Sequence, residues 1–119
     1  MSISPPQYYN VNDQVYKLET AHGNLPIATT ALIPAVTGKI IRVMGWNFQT
    51  NSAANGIVTL KDGATVKYAA YAPQSTSNLV EKQPVIDSGY FECTVSTALN
   101  VEVATAQTLV TVFYITYTP

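Results

Sequence analysis

Residues 99–118 read LNVEVATAQTLVTVFYITYT, and their alternation decides the fold class. Leu99, Val101 and Val103 fall on one side of an extended chain, with Asn100, Glu102 and Ala104 on the other. This is the period-two pattern of a half-buried strand. Ala106-Gln107 interrupts it, and Thr108 to Thr118 resumes as the longest strand in the C-terminal half. Here Leu109, Thr111, Phe113, Ile115 and Tyr117 share one face, and Val110, Val112 and Tyr114 share the other. A strand in a free-standing antiparallel sheet has one polar face. In this one the second face is also apolar in its middle, so something covers it: a neighbouring subunit or the chain's own N-terminal segment. Outward apolar patches mark interfaces, which gives Val110, Val112 and Tyr114 as expected subunit contacts.

Working outward, the same vocabulary fills the rest of the chain. Val, Ile, Thr and Tyr supply 44 of 119 residues, a strand-forming set, and no stretch holds apolar residues at helical spacing for three turns. Turn signals recur at short intervals: Gly23-Asn24, Thr37-Gly38, Asn51 to Gly56, Asp62-Gly63, Pro73 to Asn78, Ser88-Gly89 and Ala106-Gln107. Short strands at this spacing predict an all-β sandwich or barrel. Ile27 to Val36 reads as an edge or bulged strand because of Pro34. Lys39 to Thr50 alternates Ile40, Arg42, Met44, Trp46 and Phe48 against Ile41, Val43, Gly45 and Asn47. Ile57 to Lys61 and Thr65 to Ala72 flank Asp62-Gly63 as a hairpin. Leu79 to Ile86 is interrupted by Pro84, and Tyr90 to Val95 points Phe91, Cys93 and Val95 one way.

The first 20 residues differ from the rest. Ser4-Pro5-Pro6 followed by Tyr8 and Tyr9 reads as extended, polyproline-like chain, without alternation long enough for a strand. Tyrosines are out of place in a purely solvated tail, so residues 1–20 are expected to be an arm. In that reading Tyr8, Tyr9 and Tyr16 contact a partner, and residues 21–119 form the sandwich.

Composition narrows the function. Charged residues are 11% of the chain and the formal net charge is −1, against about 25% charged in typical domains. Ser, Thr, Asn and Gln supply the polarity instead, 36 residues in all. So little surface charge leaves assembly as the first expectation. No basic stripe points to nucleic acid. No run of about 18 apolar residues points to a membrane span, and MSISPPQYYN lacks the basic and apolar regions of a secretory signal.

No residues converge on catalysis. His22 lies in the turn-like Ala21-His22-Gly23-Asn24, and no second His or further Cys completes a metal site with it. Cys93, between Phe91 and Val95, reads as a buried small hydrophobe rather than a nucleophile paired with His22. Asp62 and Asp87 sit beside Gly63 and Ser88-Gly89 as ordinary turn residues. The glycines form no phosphate-cradling loop. The expectation is a non-enzyme with no metal and no cofactor. Trp46, among Ile, Met and Phe, reads as core or subunit interface. With the exposed tyrosines it could alternatively serve as a carbohydrate platform.

The order of four segments carries a resemblance. Thr37-Gly38-Lys39-Ile40-Ile41-Arg42-Val43-Met44-Gly45-Trp46 is followed by Gly56-Ile57-Val58-Thr59-Leu60-Lys61-Asp62-Gly63. Gly89-Tyr90-Phe91-Glu92-Cys93 and Thr97-Ala98-Leu99-Asn100-Val101 come next. From Thr37 to about Tyr117 the chain resembles small jelly-roll proteins of tailed bacteriophage particles, of the head decoration (cement) type or the β-sandwich modules of tails and fibres. The resemblance implies a non-enzymatic virion component and a trimer, and it carries no catalytic residue over. The expectation is therefore one antiparallel β-sandwich of about eight strands, jelly-roll-like, with an extended N-terminal arm. It would be made in the host cytoplasm and placed on the capsid exterior, against the major capsid protein. A tail or fibre module is the alternative of the same class, with a tail protein as its partner. A carbohydrate-binding β-sandwich is the alternative of a different class.

Overall fold

Asn12 and Asp13 both adopt positive φ, 52° and 63°, a conformation that these two short polar residues tolerate better than most. They turn the chain between β1 (Tyr8–Val11) and β2 (Gln14–Lys17), which pair antiparallel. The computed structural model describes residues 8–50, 56–74, 80–86 and 88–119. The remaining strands are β3 (Glu19–Leu25), β4 (Thr29–Ile33), β5 (Ile40–Thr50), β6 (Gly56–Asp62) and β7 (Thr65–Ala72), then β8 (Glu81–Gln83), β9 (Phe91–Glu92), β10 (Leu99–Ala104) and β11 (Thr108–Tyr117).

Two antiparallel sheets face each other. The first runs β3-β11-β5, with β8 and β9 both pairing along the far edge of β5; the second runs β4-β10-β6-β7. Their inner faces make one core. Ile41, Val43, Trp46, Phe48, Val110 and Val112 from the first sheet meet Val58, Leu60, Leu99, Val101 and Val103 from the second. The clean alternation of residues 99–104 is kept, with Leu99, Val101 and Val103 inward.

A bulge changes the reading of β5. In its register with β11, Phe113 faces Gly45 and Tyr114 faces Val43, so Met44 is the extra residue. An inserted residue reverses the side-chain parity beyond it. Trp46 and Phe48, which simple alternation puts on the face of Met44, thus join Ile41 and Val43 between the sheets. Met44 points to the opposite face of the first sheet, into a second cluster with Tyr9, Val11, Ile115 and Tyr117.

That second cluster is closed by the β1–β2 hairpin. Tyr9 and Val11 are each 8% exposed against it, and the Tyr16 ring meets Tyr117 edge-on at 6.0 Å. Neither cover weighed for the face of Val110, Val112 and Tyr114 is the one found: the second sheet packs on it, and the chain's own N-terminal segment lies on the opposite face, on Ile115 and Tyr117. Residues 8–17 are thus a docked hairpin and not an extended arm. The boundary expected between residues 20 and 21 falls inside β3, which pairs with β11 from Glu19 onward.

Smaller departures have local causes. Gly23-Asn24 lies within β3, and the chain leaves that strand only at Pro26. The expected strand from Ile27 shortens to β4, an edge strand that ends before Pro34. Val95 is 44% exposed rather than inward, because the backbone turns at Thr94–Thr97. Gly63 supplies a φ of 58° at the β6–β7 turn. Asp87 and the turn residues 51–55 and 75–78 lie outside the described residues.

Candidate functional site: a neutral sheet face and an aromatic pocket

Registers define the outer face of the second sheet row by row. Tyr71 lies opposite Ile57 and Ile57 opposite Ala104. In the next row Ala69, Thr59, Glu102 and Thr29 stand in line, and in the third Val66, Lys61, Asn100 and Ala31. Tyr71, Val66 and Ile57 are 69%, 57% and 37% exposed. The two charges on these rows cancel, since Lys61 Nζ lies 2.6 Å from Glu102 Oε1. The result is a sheet face that is apolar at one end and electrically neutral throughout. Polar outer residues are a usual defence of a sheet against association; the second and third rows carry them in Thr29, Thr59, Glu102, Lys61 and Asn100, whereas the row of Tyr71, Ile57 and Ala104 does not.

The residues expected to make contacts are placed differently. Val110 and Val112 are fully buried in the inter-sheet core, and Tyr114 packs against that core. Val110 and Val112 cannot form a subunit surface, because the second sheet already covers them, and Tyr114 is partly buried beside them. The outward face of β11 is the other one, where Leu109 is 41% exposed. Of the three arm tyrosines, Tyr9 and Tyr16 are used inside the molecule and Tyr8 alone is well exposed, at 58%. The apolar row of the second sheet's outer face had a signal in the sequence: Thr65–Ala72 reads TVKYAAYA, apolar at both parities.

A second feature sits at the open edge of the sandwich, where β7 of one sheet approaches β8 and β9 of the other. Lys67 is the extra residue of a bulge, since Tyr68 faces Leu60 while Val66 faces Lys61. Trp46, Lys67, Tyr68, Gln83, Tyr90 and Phe91 line a pocket of about 260 Å³. The Tyr68 and Tyr90 rings lie 4.5 and 4.7 Å from the Trp46 ring, tilted by 47° and 53°. Both phenols are tied down: Tyr68 donates to Glu81 Oε1 at 2.9 Å, and Tyr90 donates to the Pro84 carbonyl at 2.8 Å. Burial, reinforced by Glu81, raises the Tyr68 pKa and keeps it a donor. Trp46 itself is 2% exposed, a core residue that also lines the pocket, and its buried Nε1 has no hydrogen-bond partner among the described residues.

His22 lies on β3, exposed, with Nδ1 2.7 Å from Thr111 Oγ1. Asp62 accepts from the Thr94 backbone N–H at 2.9 Å and its hydroxyl at 2.8 Å, which pins the segment after β9 to the end of β6. Among the described residues, no group of three His, Cys, Asp or Glu side chains could hold a metal. Cys93 is 2% exposed, and burial, with the nearby charge of Asp62, pushes its thiol up to about 12. The thiolate is the reactive form, so native protein at pH 8 is expected to resist iodoacetamide while urea-unfolded protein is alkylated at Cys93. Mass spectrometry of the two samples checks this, and equal labelling would contradict the burial.

Comparison with known protein families, with curated proteins and with solved structures finds no match.

Proposed function

We propose that this chain is a structural virion component, a capsid decoration protein that binds and stabilises an assembled phage head as a homotrimer. The observation that carries the reading is the neutral, partly apolar outer face of the β4-β10-β6-β7 sheet. It is a surface without a charge preference, and its exposed Tyr71, Val66 and Ile57 suit contact with another protein surface. Tyrosine is enriched, and charge depleted, at the centre of such contacts. We assign this face to the contact between copies.

The winding supports the same reading. With β8 and β9 counted as one edge, the orders β3-β11-β5-β8 and β4-β10-β6-β7 are compatible with an eight-position jelly roll, an architecture used by capsid domains among others. Fold alone does not decide function, so the proposal rests on the surface. A protein that binds the assembled lattice but not free capsid subunits stabilises the shell by linkage. Three copies held together add avidity to each weak contact.

The test is the mass in solution. Wild type is expected to sediment as a trimer, and the Ile57→Asp, Tyr71→Asp double variant as a monomer. Tyr71 is 69% and Ile57 37% exposed, so neither substitution opens the core, and each is expected to cost about 1 kcal/mol in strand preference and local packing. A monomeric wild type, or a double variant of unchanged mass, would overturn the assignment of this face.

A further inference from the structure

We propose that the pocket at the sandwich edge binds the ring of a neutral hexopyranose. This inference stands on different residues from the assembly face and holds whether or not the chain belongs to a virion.

Size comes first. At about 260 Å³ the pocket falls below the ~300–1,000 Å³ of drug-sized ligand sites, so it accommodates one ring and not a longer ligand. The walls come second. Tyr68 and Tyr90 tilt toward Trp46 from either element of the edge, and Phe91 adds a fourth aromatic side chain to the lining. An aromatic face carries negative charge density, which suits the weakly positive C–H face of a sugar ring.

Polar chemistry then separates a sugar from other ring-sized or cage-filling ligands. Lys67 and Gln83 bring donor groups to the lining, and a ligand that covers them needs acceptors to satisfy them. A ligand with oxygen acceptors answers that need; a hydrocarbon ring does not. A quaternary ammonium group, the usual occupant of an aromatic cage, also offers no acceptor and would face the Lys67 ammonium. An acidic sugar would be drawn to Lys67 but repelled by Glu81, whose carboxylate already holds Tyr68 and Gln83 at 2.9 and 3.2 Å. The two charges leave a neutral polyhydroxylated ring as the matching class. The tethers on Tyr68 and Tyr90 fix both rings in advance, so little ordering is left for binding to supply.

Trp46 is the chain's one tryptophan, so its emission reports this pocket. Glucose, galactose and N-acetylglucosamine are titrated into the full chain, followed by tryptophan emission and by ligand-observed saturation-transfer NMR. Acyclic sorbitol serves as the control without a ring. At least one of the three sugars is expected to give a saturable response, with a midpoint on the order of millimolar, as befits a single small ring. Sorbitol is expected to give none. Tyr90→Ala is expected to weaken the response at least tenfold. Gln83→Ala, a substitution on the β8 edge that spares the aromatic walls, provides a second variant should Tyr90→Ala fail to fold. Absence of saturable binding by both methods, an equal response to sorbitol, or binding unchanged in the folded variants would overturn the proposal.

Discussion

Val112→Asp is expected to unfold the protein, not to split an oligomer. Val112 is fully buried between the sheets, opposite Trp46 in the β5–β11 register. A carboxylate there has no cation among the core residues around it. Burying an unpaired charge, together with the loss of packing, is among the few mechanisms that exceed about 4 kcal/mol for one substitution. That is comparable with the whole stability of a domain, about 5–15 kcal/mol. Urea denaturation followed by Trp46 emission should therefore show a large loss of midpoint or no folded baseline. The contrast is Tyr71→Asp on the outer face, which should lower the midpoint far less. A folded Val112→Asp of near-native stability would mean that β11 presents its other face to the core.

Tyr9→Ala carries the second large effect, and its neighbour supplies the control. Tyr9 is 8% exposed in the cluster with Met44, Ile115 and Tyr117, whereas Tyr8 is 58% exposed. Truncating a buried aromatic side chain costs about 3–5 kcal/mol. The residual exposure of Tyr9 and its place at the rim of the sheet put the expectation at the low end, about 3 kcal/mol. Tyr8→Ala should fall within about 0.5 kcal/mol of wild type. If residues 8–17 were instead a free arm, both substitutions would be silent. Equal, small effects on the urea midpoint would thus contradict the docked hairpin.

These two residues also show what could be read from the sequence and what could not. All-β class, the β6–β7 hairpin at Gly63, the edge character of the Pro34-limited strand and the buried position of Cys93 follow from local pattern, because alternation and turn chemistry act over a few residues. The final strand was legible as apolar on both faces. Which face met the other sheet was not, since alternation alone has no absolute direction and the N-terminal hairpin covers part of the other face at Ile115 and Tyr117. Trp46 was legible as core or subunit interface, but the bulge at Met44 that places it in the core depends on pairing with Phe113 and Tyr114, far along the chain. The N-terminal hairpin did leave a mark in Asn12-Asp13, two residues suited to positive φ between short apolar-polar segments. Its strands, Tyr8–Val11 and Gln14–Lys17, are four residues each. Strands that short carry a pattern too brief to register without the sheet beneath them. The face proposed for assembly was legible only in part, from Thr65–Ala72. Ile57, Ala69, Tyr71 and Ala104 are far apart in sequence and become one surface only through the β7-β6-β10 registers. The same holds for the pocket, which draws Trp46, Lys67, Gln83 and Tyr90 from four separate segments.

The proposed role rests most directly on abundance. The decisive measurement is the number of copies of this chain per purified phage particle, relative to the major capsid protein, by quantitative mass spectrometry. A decoration protein is expected at a ratio near one or a simple fraction of it. A handful of copies per particle would place the chain in the tail, and its absence from the particle would contradict a virion role.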